Sequence, residues 1–253
     1  MALLRRLCRI AALIVWAAVV AALSAPYRIR GGWKNIKEIS RFTRLWSKGI
    51  AKIVNLRVTT SGALPRDPGL LVSNHVSYLD IIAHGSVLPL RYSPKSEIKK
   101  WPVLGWYIGL SRPIWTNRRS KQTSKKILRD FVKTVRRGMY LIVYPEGTST
   151  DGTNGILPFK STSFEASIIG QMPILPVLTR YKKAPGQPAV CWYGDMTLLP
   201  HIWRVLGISS IEAELHFLKP IYPEGKTRKE LAAFVHSVMA REYRRMDQSV
   251  VRG

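Results

Sequence analysis

Sixteen consecutive residues without a charge, Ile10–Ala25 (IAALIVWAAVVAALSA), limit what this chain can become. So apolar a run is buried in protein, buried in lipid, or removed as a signal. Arg5, Arg6 and Arg9 precede it and Leu23-Ser24-Ala25 closes it, which is the layout of a secretory signal peptide. The chain beyond it argues against removal. The next stretch is strongly basic, and Cys8 and Cys191 are the only cysteines, too few for a disulfide-stapled secreted domain or a Cys-based metal site. The expectation is a retained anchor. Taken back through Leu3 to Cys8, the run approaches the ~20 residues that span a bilayer. Arginines flank it on both sides, so charge sets no orientation, and a full span and a helix dipping into one leaflet both fit.

Charge narrows the partner. Forty Lys and Arg against fifteen Asp and Glu give +25, which points to nucleic acid or to an anionic membrane surface. Twelve of those cations, but only one acid (Glu38), precede residue 58. Trp33 to Val54 repeats apolar residues at helical spacing (Ile36, Ile39, Phe42, Leu45, Trp46, Ile50, Ile53, Val54), with Lys and Arg between them. That is the pattern of a basic amphipathic helix at a membrane interface, and equally of a helix packing one face on a core. No interleaved stacking aromatics or recognised nucleic-acid module accompanies the charge, so anionic lipid is preferred and nucleic acid is not expected. Residues 1–54 then form an anchor with an interfacial helix, and 55–253 one folded domain.

Strand and helix patterns alternate through that domain. Leu56–Thr60, Leu70–Ser73, Leu90–Pro94, Leu141–Tyr144, Ile174–Leu178, Ala189–Tyr193 and Ile211–Leu218 read as strands. Helices are expected from Ser77 to Gly85 and from Ser120, as a cap, to Gly138. Trp101–Leu110 is apolar and aromatic, either a helix or a loop pressed on lipid. Another helix should follow a capping box at Thr227 and Glu230. The fold class is α/β, a layered domain with a mixed central sheet flanked by helices.

Four polar clusters stand at the ends of these elements. Asn74-His75-Val76-Ser77-Tyr78-Leu79-Asp80 follows an apolar strand, and a carboxylate five residues from a histidine can hold its ring as a general base requires. This works only with His75 in the turn and the helix starting after it. Tyr144-Pro145-Glu146-Gly147-Thr148 sets a carboxylate at the end of a buried strand, where it must pair with a cation or a ligand hydroxyl. Pro113-Ile114-Trp115-Thr116-Asn117-Arg118 ends in an arginine suited to phosphate. Met172-Pro173-Ile174-Leu175-Pro176-Val177 reads as an edge strand bracketed by prolines. Other chemistries fit poorly. Ser77 lies near His75, but no G-x-S-x-G elbow exists. Gly225-Lys226-Thr227 mimics a phosphate loop, yet Pro220 stands where its first glycine belongs.

In order and spacing, these clusters resemble the glycerolipid acyltransferase family typified by 1-acylglycerol-3-phosphate acyltransferase. NHVSYLD matches its N-H-x-x-x-x-D motif, IWTNR its second motif, YPEGT its F-P-E-G-T block and MPILPV its proline-flanked fourth motif. The resemblance implies an α/β domain seated on a membrane by N-terminal helices, in bacteria the inner membrane with the catalytic domain on the cytoplasmic face. It implies direct transfer of a fatty acyl group from a thioester donor, acyl-CoA or acyl carrier protein, to a lysolipid hydroxyl. No cofactor or metal is implied. His75 would be the base and Asp80 its orienting partner. Arg118, Glu146, Gly147 and Thr148 would hold the acceptor head group, the glutamate through a hydroxyl. Oxyanion donors are expected among backbone N–H groups of the His75 turn or near the proline-flanked strand.

One departure concerns the acceptor. The family's third motif often continues E-G-T-R-S, whereas this chain continues Thr148-Ser149-Thr150. Lys160 is a candidate to replace that arginine. Lyso-ornithine lipid acyltransferases resemble the chain in this segment and in Trp192-Tyr193-Gly194-Asp195. The second motif lacks its usual leading glycine and aspartate, with Arg112 and Asn117 there instead. The first expectation is acylation of the sn-2 hydroxyl of 1-acylglycerol-3-phosphate, with lyso-ornithine lipid as the alternative acceptor.

Overall fold

The structure, a computed structural model, describes residues 1–102, 104–116, 121–182, 186 and 189–251, with side chains except at 121–124 and 247–251. Two long helices lead. Helix α1 (Ala2–Arg30) turns at Gly31 into α2 (Gly32–Val54). The pair folds back as a hairpin, with the Trp16 indole N–H donating to the Trp46 carbonyl at 3.1 Å. Gly49 makes this approach possible, since a Cβ there would lie inside the Trp16 ring. Helix α1 is the one helix among the described residues long and apolar enough to cross a membrane. It leaves Leu4, Ile14 and Val15 each more than 60% exposed. Helix α2 buries Ile39, Ser40, Thr43, Ser47, Ala51 and Val54, so its inner face packs on the domain.

The domain is built on one six-stranded sheet of order β1-β6-β5-β2-β4-β3. Its strands are β1 (Leu56–Gly62), β2 (Leu70–Ser73), β3 (Leu90–Tyr92), β4 (Tyr140–Val143), β5 (Ile174–Tyr181) and β6 (Ile211–Phe217). All neighbours run parallel except β5 with β6, so the sheet is mixed, as the alternation of elements predicts. Side chains alternate between its faces. Leu71 and Ile142 join a core under α2, α3 (Leu79–Val87) and α7 (Leu198–Leu206). Leu70, Val72, Leu141 and Val143 join a second core under α5 (Lys121–Arg136), α6 (Phe164–Gly170) and α8 (Arg228–Val251). Strands buried on both faces are near-continuous apolar runs, which is how β2 and β4 read.

Several expectations shift. Helix α3 begins at Leu79, not Ser77, because residues 75–77 form a turn around Asp80. Trp101–Leu110 contains a short helix, α4 (Leu104–Gly109), with Trp106 67% exposed. Ala189–Tyr193 forms no strand. The Trp192 N–H donates instead to the Val76 carbonyl, and the Val190 carbonyl accepts from Ser77 Oγ. The proline-bracketed strand is central, not an edge. Pro176 sits just before the stretch of β5 that ladders with β6, where its missing N–H is harmless and its carbonyl accepts from Leu218. The capping box is present, with Thr227 N to Glu230 Oε2 at 2.8 Å and Glu230 N to Thr227 Oγ1 at 3.4 Å. Ser120 lies outside the described residues.

The arginines that imitate a signal-peptide start have a structural task. Arg6 Nε donates to the Trp203 carbonyl at 3.0 Å. The buried Arg9 caps the end of α7, donating to the carbonyls of Leu206 (3.0 Å), Ile208 (2.5 Å) and Ser209 (3.3 Å). The Leu206 carbonyl is one that the helix end leaves unpaired, and the other two belong to the turn just beyond it. Helix α1 is thereby part of the fold. Arg9→Ala should cost about 2 kcal/mol or more, since charge-assisted bonds to buried acceptors are lost. Lys at this position should rescue only partly, because an ammonium lacks the planar fork. The unfolding midpoint of the detergent-solubilised protein checks both.

Candidate active site

Strands β2 and β4 are parallel neighbours, with Leu70 opposite Leu141 and Val72 opposite Val143. Their C-terminal ends therefore deliver the His75 and Glu146 segments to the same edge of the sheet, where open α/β sheets bind ligands. Asn74 fixes the exit from β2. Its side-chain amide donates to the Thr179 carbonyl at 2.9 Å, and its oxygen accepts the Thr179 N–H at 2.7 Å. A side chain thus completes the ladder to β5, and the backbone is free to turn away at His75.

His75 is then gripped from several sides. Its backbone N–H donates to Glu146 Oε1 at 2.7 Å, and its carbonyl accepts from Thr150 N at 2.9 Å. Its ring Nδ1 meets Asp80 Oδ2 at 2.7 Å. The same carboxylate oxygen accepts the N–H groups of Val76 (2.8 Å) and Ser77 (3.1 Å). Tyr144 stacks on the imidazole with ring centroids 4.3 Å apart. With Nδ1–H donating to a carboxylate, the tautomer leaves Nε2 as the basic nitrogen. Behind Asp80 lies His84, fully buried and pushed down to about 4 by burial, so it stays neutral at physiological pH. Its Nδ1–H donates to the Asp80 carbonyl at 2.7 Å and its Nε2 faces Thr179 Oγ1 at 3.1 Å. It locks the first turn of α3.

His75 opens on a cavity of about 580 Å³. Most of the wall is apolar or aromatic, including Ile81, Tyr92, Trp101, Leu104, Phe131 and Trp192. The polar remainder includes Ser93, Lys95, Glu97, Thr148, Ser149, Lys160, Thr162 and Ser163. A second apolar pocket of about 120 Å³ between α1, α2 and α4 shares Trp46, Ile81, Tyr92 and Tyr107 with it. A half-buried base beside a long apolar space and a few hydroxyls can activate an alcohol next to a fatty chain.

The acyltransferase family model matches residues 55–180. A lyso-ornithine lipid O-acyltransferase of Brucella abortus is 30% identical, across 87% of this chain and 88% of that protein. The chain belongs to the acyltransferase family. A 1-acyl-sn-glycerol-3-phosphate acyltransferase of Neisseria gonorrhoeae is 31% identical across 85% of this chain and 82% of that one. A lyso-ornithine lipid O-acyltransferase of Pseudomonas aeruginosa is likewise 31% identical, across 76% and 74%. The crystal structure of the 1-acyl-sn-glycerophosphate acyltransferase PlsC from Thermotoga maritima has the same fold, with a TM-score of 0.66 at 20% identity over 98% of both chains.

In this acyltransferase the residues singled out from sequence part company. His75 and Asp80 are in contact, and Gly147, Thr148 and Lys160 line the cavity. Gly147 holds φ 77°, a left-handed turn that favours glycine. Arg118 lies outside the described residues. Glu146 is not a wall of the cavity: it is 4% exposed, and its oxygens accept the N–H groups of His75 and Leu157 (2.8 Å). It therefore grips the backbone of the base and does not reach for a ligand hydroxyl. Nor does the His75 turn offer oxyanion donors, since the N–H groups of residues 75, 76 and 77 already have carboxylate partners. Asn74, Tyr144 and His84 escaped the sequence reading of roles. Asn74 could have been found, because an amide directly before the histidine is the one residue that can imitate a strand there.

Burial raises the Glu146 carboxyl from its ordinary 4.5 to about 7, against the lowering effect of its two backbone donors. Folding thus favours the protonated form. This group's contribution is fully present below pH ~4.5 and is lost as pH rises through ~7. Glu146→Gln cannot ionise and turns an amide NH2 toward one of two N–H donors. It should lower stability by about 1–3 kcal/mol while removing this part of the pH slope. Denaturant unfolding of both proteins between pH 4 and 8 checks both effects.

Proposed function

We propose that this acyltransferase moves a fatty acyl chain from an acyl-CoA or acyl carrier protein thioester to the hydroxyl of a lysolipid, with lyso-ornithine lipid as acceptor. His75 Nε2 takes the proton of the acceptor hydroxyl as that oxygen attacks the thioester carbonyl. Asp80, held by two backbone N–H groups, stabilises the imidazolium. Collapse of the tetrahedral species breaks the C–S bond, and the imidazolium returns its proton to the leaving thiolate. The base, the thioester and the alcohol suffice for direct transfer. The apolar wall suits the acyl chains, and the exposed apolar face of α1 supports a seat in the membrane, with the domain on the cytoplasmic side where acyl thioesters are made.

The observation that carries the acceptor choice is the wall after Glu146. Ser149 presents a hydroxyl where the family's third motif often has arginine, and the same cavity is lined by Thr148, Lys95, Lys160 and Glu97. An ornithine head group has one carboxylate and one ammonium, and so suits lysines and a glutamate together. The similar lyso-ornithine lipid acyltransferases support the same order. This reverses the preference for a phosphate acceptor that family frequency alone suggests. A second reading, acylation of 1-acylglycerol-3-phosphate, draws on Lys95 and Lys160 as phosphate partners and on the Neisseria relative.

In membranes of cells overproducing the protein, ornithine lipid should accumulate at the expense of its lyso form, with no change in phosphatidic acid synthesis. Conversion of only 1-acylglycerol-3-phosphate would establish the second reading. His75→Ala should lower turnover by about 10²–10⁴-fold. Asp80→Asn keeps an oxygen for the same donors but loses the charge, and should lower turnover roughly a hundredfold or more. Turnover by a folded His75→Ala protein at the wild-type rate would end the mechanism.

A further inference from the structure

At the corner where α2 begins, three cations converge on one indole. Arg91 Cζ lies 5.1 Å, Lys133 Nζ 4.7 Å and Arg137 Cζ 5.2 Å from the Trp33 ring centroid. Lys37 reaches the same corner, its ammonium lying against Gly138 just beyond α5. None of these cations forms an ion pair among the described residues. Like charges so gathered repel one another, and a ring face offsets only part of that. The dipole of α5 explains a positive residue or two at its C-terminal end. It does not explain Arg91, which comes from β3, is 9% exposed, and is fixed beneath the ring by bonds to the Arg112 carbonyl and Thr134 Oγ1. Burial and the charge of Arg112 push the Arg91 guanidinium down to about 10, though Asp130 opposes this. Asp130 answers only one of these charges, so the corner stays net positive.

Its place in the fold indicates which anion. The cluster adjoins the α1–α2 turn, where Ile29 is 85% exposed and Arg112 donates to the Arg28 carbonyl. Tryptophan with arginine and lysine beside an exposed apolar helix is the composition of a bilayer interface. None of the four residues lines the cavity at His75. We infer that Trp33, Arg91, Lys133 and Arg137 form a docking site for the phosphate of an anionic phospholipid, separate from the catalytic cavity. The bound lipid would hold the β3 edge of the sheet at the head-group level, next to Tyr92 on the cavity wall. The inference rests on the membrane seat proposed above, and not on the choice of acceptor.

Native mass spectrometry of the full chain in detergent, titrated with equimolar phosphatidylglycerol and phosphatidylcholine, tests it without any acyl donor or lysolipid. One phosphatidylglycerol should be retained in clear preference to phosphatidylcholine. Lys133→Glu with Arg137→Glu should weaken that retention roughly thirtyfold, from the two surface cations lost. Lys229→Glu with Arg241→Glu makes the same charge change on α8, which contributes no residue to the cluster, and should leave the preference within about threefold of wild type. Trp33→Leu keeps every charge and should weaken retention roughly threefold or more through loss of the ring face. An equal loss in both double variants, or a wild type indifferent to head group, overturns the site. Acyl transfer, measured separately, does not depend on either outcome.

Discussion

Everything in this site depends on the backbone of one residue being held between two carboxylates. Glu146 takes the His75 N–H, and Asp80 takes the His75 ring together with the next two N–H groups. A turn that leaves a strand exposes backbone donors, and buried donors without partners are expensive. Here acidic side chains satisfy them, so orienting the imidazole and stabilising the turn are one operation. The partners come from different elements, α3 and the loop after β4. The base is thus set correctly only when the sheet has paired β2 with β4.

The two N-terminal helices are tied to that arrangement. Arg9 caps α7, and His201 on α7 contacts the Tyr78 hydroxyl at 3.1 Å, three residues from the base. Helix α2 supplies Trp46 to the cavity wall, while α1 packs on α2 through Trp16 and Gly49. The exposed apolar face of α1 and the turn at His75 are therefore linked through direct contacts. In the proposed reaction an acyl chain would pass Trp46 of α2, which lines both the cavity at His75 and the smaller pocket against α1.

Much of this was legible in the sequence. The runs Leu70–Val72 and Leu141–Val143 are apolar throughout because both faces of those strands are buried, and the Thr227–Glu230 box announced α8. The His75–Asp80 contact followed from spacing once the turn was granted. Ala189–Tyr193 misled because its β-forming residues serve another need: its backbone braces Val76 and Ser77, a long-range demand that local pattern does not contain. Glu146 misled for a related reason. A carboxylate after a strand can meet a cation, a ligand or backbone donors, and the last choice depends on where Leu157 and His75 are brought. Pro176 suggested an edge, yet only the ladder with β6 decides whether a missing donor matters.

The loop after β4 separates the cavity wall from the hold on His75. Its first acidic residue turns inward to the backbone of the base, whereas Gly147, Thr148, Ser149 and Lys160 face the cavity. Lys160 also donates its N–H to the Pro145 carbonyl at 2.9 Å, which closes the loop on itself. A change of side chain at position 149 alters the cavity wall but touches neither bond of Glu146. In the proposed reaction head-group recognition falls to side chains on one side of this loop, and the placement of His75 to a carboxylate on the other. Only the latter is fixed by the requirement that buried donors be satisfied, so it is the former that a family can alter freely.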